Sequence, residues 1–500
     1  MSTAVLSSAS AAPPATTSIL RRVFSFPVAI SSLLSVLACL TVRGRFDDPD
    51  MWWHLKLGEI VFTTHHIPLF DTFSFTAYHH PTVPHEWLAQ LSIFIAYHLG
   101  GYSGLMLWLC LTSSAILIAG YALCSLYSAN AKVSFAGALL IWLFATIGFS
   151  VRPQMIGYLF LIAELLILYF GRTRSPRWFY ALPPLFAFWV NCHGSFSLGL
   201  LLAVILLFSS FLSFHVGLLE ARHWQSASRR ALAFSLALSV PALLLNPTGF
   251  RLVLYPFHAL GEITVVVSAV SEWQPLSIAD TRGLALFAVV AAIVLLVIVR
   301  RTPLYLDELL FLAAGTYLAC SHRRLLFAFG ILVAPIFCRL LADTWDKYIP
   351  ERDRPVPNLV LILPSLLVCW FAFPSPANLA AQVQAGSPAT AVNFIHSHNL
   401  TGNMLNDWTS GGYLIWAAPD HPVFIDGRGD PYDETGVTPD FGNWATLQTD
   451  PRVLLDKYRI SFILLSRDAP MSSVLPLMPQ WKLVYSDRQS VIFQRVTVAN

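Results

Sequence analysis

The densest run of chemically capable side chains in the 500-residue sequence is Phe46–Glu59, FDDPDMWWHLKLGE. Here Asp47, Asp48, Asp50, His54 and Glu59 surround the paired indoles Trp52 and Trp53. The run follows directly on the first long apolar segment. Acid at the edge of a hydrocarbon-length segment has no packing reason to be there, and ionisable groups in such places mark a function or a partner. Carboxylates of this kind can take a proton from an attacking group or hold a divalent metal such as Mg or Mn. Asp48 and Asp50 are the candidates for either role, and Asp47 is expected only to solvate the boundary. His54 lies four residues beyond Asp50, so a helix over 50–59 would project both from one face.

Stepping along the chain shows what must position these groups. Only 12% of the residues are charged and 56% are hydrophobic, against about 25% charged in an ordinary soluble domain. This composition, with repeated long apolar runs, predicts a polytopic α-helical membrane protein. The formal net charge of +3 comes without any Lys/Arg-rich block, which excludes a nucleic-acid partner. The seven cysteines all lie in or at the ends of apolar runs, so neither a disulfide framework nor a cysteine zinc site is indicated. Residues 1–22 read as a disordered cytoplasmic N-terminus. The run 23–42 is too long for a signal-peptide core and reads as a retained helix.

With about 20 apolar residues per crossing, further helices are expected near 103–127, 133–149, 154–170, 178–192, 195–214, 231–246, 283–299, 305–320, 325–342 and 357–374. That makes about 11 transmembrane helices in a region spanning 23–374. Segments 87–100 and 251–260 are expected as helices lying along the interface. Basic residues such as Arg172, Arg229, Arg300 and Arg354 then fall on the cytoplasmic side. The loop 43–101 falls outside, together with SVRPQ (150–154), NCHGS (191–195), NPTG (246–249), SEWQP (271–275) and SHRR (321–324). Residues 375–500 read as an extracytoplasmic α/β domain. Strands are expected at 423–425, 460–465, 482–485 and 491–494, helices at 388–398 and 451–458, and a turn at Gly411-Gly412 before a short helix at 413–418.

Arg323 and Arg324 run against the positive-inside preference, which calls for an anionic partner outside, such as a lipid phosphate. Arg152 or His322 would assist them. Base, phosphate-binding cation and aromatic rings together are the parts needed to move a sugar from a lipid phosphate. Trp52, Trp53 and Trp87 could stack on the sugar, and His54, His193, Glu272, Trp273, Trp408 and Tyr413 complete the candidate contacts to substrate. Each has a plainer reading as well. The indoles could form an interfacial belt, His193 could cap a helix, and Arg152 could snorkel to headgroups. Asn246-Pro247 is most simply a turn, and Gly427–Asp430 reads as a polar turn. No Walker A, dinucleotide or H-E-x-x-H pattern occurs, and no internal repeat suggests a transporter. Glu164 is the main ionisable group near a helix midpoint.

The acid-rich first external loop, interfacial helix, roughly ten further helices and external C-terminal domain resemble the GT-C superfamily. That group includes protein O-mannosyltransferases, the aminoarabinose transferase of lipid A and the oligosaccharyltransferase catalytic subunit. More narrowly, DPDMWWHLKLGE, IPLFDTFSFT, RPQ, NCHGSF, NPTGF, EWQP, HRR, GGYLIW and FIDGR resemble a group of bacterial membrane proteins described as glycosyltransferases. The resemblance implies inverting transfer from a polyprenyl-phosphate-linked sugar, with Asp48 or Asp50 as base. Asp48-Pro49 is also similar to the Asp-Pro of the oligosaccharyltransferase first loop, where the aspartate contributes to a metal site. Without a Trp-Trp-Asp-Tyr-Gly run, peptide-acceptor binding and a required metal are not implied. The competing expectations are a cell-envelope polysaccharide ligase or polymerase, and a transporter or lipid-binding scaffold.

Overall fold

The computed structural model describes residues 23–261, 271–349 and 352–496. The expectation for 1–22 lies outside these residues. Among them, five helices are long and apolar enough to cross a membrane: Trp87–Ser128, Ala131–Gly148, Gln154–Thr173, Thr281–Arg300 and Pro355–Ala372. Phe26–Val42 and Phe196–Ser209 are apolar but shorter. Phe26–Val42 packs between Pro355–Ala372 and the Trp87–Ser128 helix, and Leu326–Leu340 packs on Ala131–Ala145. Phe26–Val42, Trp87–Ser128, Ala131–Ala145 and Leu326–Leu340 belong to one continuous apolar core.

The expected crossings differ most where proline intervenes. Instead of one helix over 178–192 there is a 3-10 turn, Pro176–Ala181, and then the short helix Leu182–Trp189. Pro183 and Pro184 lack the N–H groups that a continuing helix would need, so they are accommodated only at a new helix start. The expected helix at 195–214 stops at Ser209, and 14 residues span only about 21 Å. The chain then turns into a small hairpin, Phe214–Val216 with Leu219–Ala221.

Residues 87–99, within the segment expected along the interface, are helical. They are separated from the following helix by Gly100 and Gly101, where the backbone leaves helical values and Gly101 takes φ +55. That conformation suits glycine, which has no Cβ to clash. The second segment expected there, 251–260, is also helical, as Phe250–Gly261.

The C-terminal segment builds a four-stranded sheet. Asn403–Asn406 pairs parallel with Ile460–Ser466. That strand pairs antiparallel with Ser490–Arg495, which in turn takes Trp481–Ser486 at the edge. Helices Ala389–Ser397 and Pro451–Lys457 fall where expected.

Two readings here are corrected. Residues 423–425 form no strand beyond a single bridge from Val423 to Ser74. The side chain of Asn406 accepts from the Phe424 N–H at 2.8 Å and donates to the Ile425 carbonyl at 2.7 Å, taking backbone groups that a neighbouring strand would use. Gly411 and Gly412 make no turn, because the helix runs Trp408–Ala417 straight through them. It is capped by Asp407, which accepts from Ser410 N–H at 2.8 Å. The glycines serve close packing. A Cβ on Gly412 would strike the Pro49 carbonyl, and one on Gly411 the Ile425 carbonyl. The first loop is thus pressed onto the C-terminal segment. Thr76 donates to the Phe424 carbonyl at 2.6 Å, and Ala77 shares a core with Leu405 and Phe424.

Candidate active site

Asp50 stands at the start of Met51–Thr64, the helix that carries Trp53 and His54. Trp53 Nε1 donates to Asp50 Oδ1 at 3.1 Å. Gly427 lies so close that a Cβ there would meet the same oxygen. The other carboxylate oxygen faces Arg152, whose guanidinium is 3.1 Å from Asp50, 3.7 Å from Asp48 and 3.4 Å from Glu272. Arg324 approaches Glu272 at 3.8 Å and lies over the Trp273 ring at 4.2 Å. Three carboxylates therefore share two guanidiniums, leaving the cluster one negative charge in excess.

Burial and these charges together set the titration of its members. Burial pushes the Asp50 carboxyl up to about 7; Arg152 opposes this and Asp48 adds to it. Burial also raises Glu272, but Arg152 and Arg324 outweigh it and hold that carboxyl below its ordinary value. Burial works against the charge of Arg152, yet Asp48, Asp50 and Glu272 keep its pKa well above the usual range. A divalent ion between Asp48 and Asp50 would need the place that this guanidinium fills, so the arrangement does not fit a metal held by that pair.

Asp50, Arg152, Glu272 and Arg324 line a polar chamber of about 190 Å³, together with His54, Glu86, His193, Trp408 and Asp430. Two larger cavities adjoin it. One, of about 480 Å³, is an apolar groove lined by Leu198, Leu201, Val204, Phe257, Leu325 and Phe327, with Arg324 and Trp273 at its polar end. The other, of about 400 Å³, runs between the first loop and residues 428–434. All three share His85, Glu86 and Tyr255.

Around Glu86 stand His54 at 3.7 Å, His85 at 3.7 Å and His193 at 3.8 Å. Ser195 N–H donates to His193 Nδ1 at 3.1 Å, so in the neutral ring the proton sits on Nε2, the nitrogen facing Glu86. Burial, reinforced by neighbouring cations, drives His54 and His193 well below the ordinary histidine value, which keeps both rings neutral.

The structure sorts the sequence candidates. Asp50, Trp53, His54, Arg152, His193, Glu272, Trp273, Arg324 and Trp408 come together on the chamber wall. Asp48 stands behind it, holding Arg152 and accepting the Asp50 N–H at 3.0 Å. Asp47 is exposed. Trp52 is buried, edge-on to Tyr413 at 5.0 Å and to Tyr102 at 6.3 Å, so Trp52 and Tyr413 are packing residues. Trp87 is tied to Asn191, donating to its side-chain oxygen at 2.7 Å. Arg323 faces away and pairs with Asp280 at 3.6 Å, and His322 packs against Trp273. Glu164 is fully buried beside Trp189 and Gly199 and borders none of the three cavities.

The expected polar turn at 427–430 has a buried role instead. Arg428 is held by Asp71 at 2.5 Å and by both oxygens of Asp426 at 2.8 and 2.6 Å, with both acids fully buried. Next to it, Tyr255 donates to Asp430 at 2.5 Å. Burial raises the Asp430 carboxyl, and the Tyr255 hydrogen bond offsets part of that. Glu86, His85 and Tyr255 were not singled out from sequence, and Asp430 only as part of a polar turn. The one signal was ionisable residues inside otherwise apolar stretches, as in PHEWLAQL and LYPF.

No protein-family model matches the chain, and no curated protein matches it. Solved structures do. The oligosaccharyltransferase AglB of Archaeoglobus fulgidus, in complex with an inhibitory peptide and a dolichol-phosphate, matches at 12% identity with a TM-score of 0.51. The match covers 87% of this chain and 69% of that one. ArnT from Cupriavidus metallidurans, bound to undecaprenyl phosphate, matches at 13% identity and a TM-score of 0.52, over 94% and 98% of the two chains. The mycobacterial arabinofuranosyltransferase AftD matches at 15% identity and a TM-score of 0.51, over 95% of this chain and 41% of that one. These are GT-C glycosyltransferases. At these identities the likeness shows that this chain shares their overall fold.

Proposed function

We propose that the protein moves a sugar from a polyprenyl-phosphate-linked donor to an acceptor at the outer face of a bacterial cytoplasmic membrane. The region 23–374 is then its membrane part, and residues 375–500 an extracytoplasmic α/β domain. The observation that carries the reading is the join between the apolar groove and the carboxylate-lined chamber at Arg324 and Trp273. A polyprenyl tail fits the groove by apolar burial, the phosphate meets Arg324, and the sugar enters the chamber against Trp53, Trp273 and Trp408. The tail and phosphate chemistry match the lipids bound to the two structural neighbours solved with dolichol-phosphate and undecaprenyl phosphate.

The acceptor enters through the cavity between the first loop and residues 428–434, past Glu86 and Tyr255. Asp50 takes its proton. With a carboxyl raised to about 7, Asp50 is matched to a base working near neutral pH. Attack on the sugar from the side opposite the phosphate inverts the anomeric centre. Arg324, balanced by Glu272, neutralises the departing phosphate, and Asp48 keeps Arg152 in place.

The test is native mass spectrometry of the purified full chain with undecaprenyl phosphate. Binding is expected for the unmodified protein and for Asp50→Asn, and lost in Arg324→Ala. Equal binding by all three would refute the groove-and-phosphate reading. An Arg324→Ala defect in cells with Asp48 and Asp50 dispensable would favour the ligase or polymerase reading.

A further inference from the structure

Away from the chamber, the C-terminal segment brings together His396 near the end of helix Ala389–Ser397, and Asp420 and His421 on the turn that follows helix Trp408–Ala417. Their ligand atoms all lie within 4.8 Å of one another. They border a surface cavity of about 630 Å³ with Asn399, Thr401 and Gly402.

The state of His421 is the informative detail. Its Nε2 lies 2.9 Å from the Leu400 carbonyl oxygen, which can only accept, so Nε2 carries the proton. In the neutral ring Nδ1 is then a bare lone pair. That nitrogen is closed off from solvent without a hydrogen-bond partner, yet it stands 3.2 Å from Asp420 Oδ2. A lone pair held against a carboxylate oxygen is repulsive unless a proton or a metal ion sits between them. From the other side, His396 Nε2 approaches Asp420 Oδ1 at 3.4 Å. Donors bound to one zinc at about 2.0–2.2 Å are about 3.3 Å apart in a tetrahedron; the two rings face opposite oxygens of Asp420 at close to that separation, and an ion between them would draw one oxygen to both. The Leu400 contact is the outer hydrogen bond that metal-binding histidines use to fix their tautomer. Two imidazoles and a carboxylate select zinc over Mg or Ca, which prefer all-oxygen sets.

We propose that His396, Asp420 and His421 bind a zinc ion, with water from the cavity as fourth ligand. The ion clamps helix Ala389–Ser397 to the turn that leads into Asp426 and Arg428. The site is separate from the chamber and does not depend on the glycosyl-transfer reading.

The test uses the full chain in detergent, stripped with a chelator and titrated with ZnCl2 or CoCl2. It is read by equilibrium dialysis and by the visible absorption of tetrahedral cobalt. The unmodified protein should bind one equivalent with histidine ligation and gain thermal stability. His396→Gln removes a proposed ligand at a partly exposed position and should weaken binding by at least about tenfold, the least that loss of even an outer hydrogen-bond partner costs. The double variant His396→Gln/His421→Gln should lose the cobalt spectrum. Glu86→Gln should change none of these readings. Equal stoichiometry and spectra in the unmodified protein and the double variant, or loss of the ion in Glu86→Gln instead, would overturn the assignment.

Discussion

Replacing Asp50 by Asn tests the site most directly, because the amide keeps the shape and the oxygen that accepts from Trp53 at 3.1 Å while removing the charge. Two effects of opposite sign are expected. As the proton acceptor Asp50 is worth about 10²–10⁴ in rate, so transfer falls by that factor. Folding should suffer little or gain, since the cluster of Asp48, Asp50 and Glu272 against Arg152 and Arg324 becomes charge-balanced.

The same carboxyl sets the pH dependence. Its folded-state value, about 7, lies above the ordinary 3.8. Below about 7 it is protonated and cannot accept, so kcat/KM should fall about tenfold per pH unit on the acid side. By linkage, the stability from holding it neutral is fully present below about pH 4 and is lost as pH rises towards 7. Asp50→Asn should abolish the acid limb and remove this loss, giving a higher thermal midpoint than the unmodified protein at pH 8. The assay is sugar transfer from polyprenyl-phosphate donors followed by mass spectrometry, alongside thermal unfolding at pH 5 and pH 8. Full activity in Asp50→Asn, or an acid limb near pH 4 in the unmodified protein, would refute the assignment of Asp50 as base.

Other expectations follow from particular contacts. Arg324→Ala should raise KM for the lipid donor, while Arg323→Ala, paired with Asp280 outside the chamber, should leave it nearly unchanged; steady-state kinetics separate the two. Gly427→Ala forces a methyl group against Asp50 Oδ1, and overpacking of this kind costs about 1–3 kcal/mol, so both activity and thermal midpoint should fall. Tyr255→Phe removes the donor to the buried Asp430 carboxylate, which should cost about 1–3 kcal/mol by denaturant unfolding. Arg428→Met leaves Asp71 and Asp426 buried without their cation and should cost about 3–5 kcal/mol, read as loss of folded protein on extraction.

The sequence by itself determined what kind of solvent the chain sits in. Charge at half the usual density and apolar runs of helical length made a membrane helix protein the consistent reading, and composition is a property of each segment alone. Asp48-Pro49-Asp50, His193, Glu272-Trp273 and Arg324 were also legible, because polar groups flanking apolar runs stand out one by one. Strands 460–466, 481–486 and 490–495 were close to their expected limits for the same local reason.

What only the tertiary structure decided is which of those groups meet. Asp71 and Arg428 are 357 residues apart yet form a buried ion pair. Nothing in the run FIDGRGD distinguishes that arginine from one in a solvated turn. Likewise Arg323 and Arg324 are adjacent and chemically identical, and the 3-10 turn at Arg323–Leu325 sends one outward to Asp280 and the other into the chamber. Trp52 and Trp53 divide in the same way, one into the core and one onto the site, because successive residues of a helix point about 100° apart. The first loop showed its acids in the sequence. Their separate roles, Asp47 in solvent, Asp48 behind Arg152 and Asp50 on the chamber wall, come from packing against Gly412 and Gly427, far along the chain, and local pattern carries no record of contacts at that range.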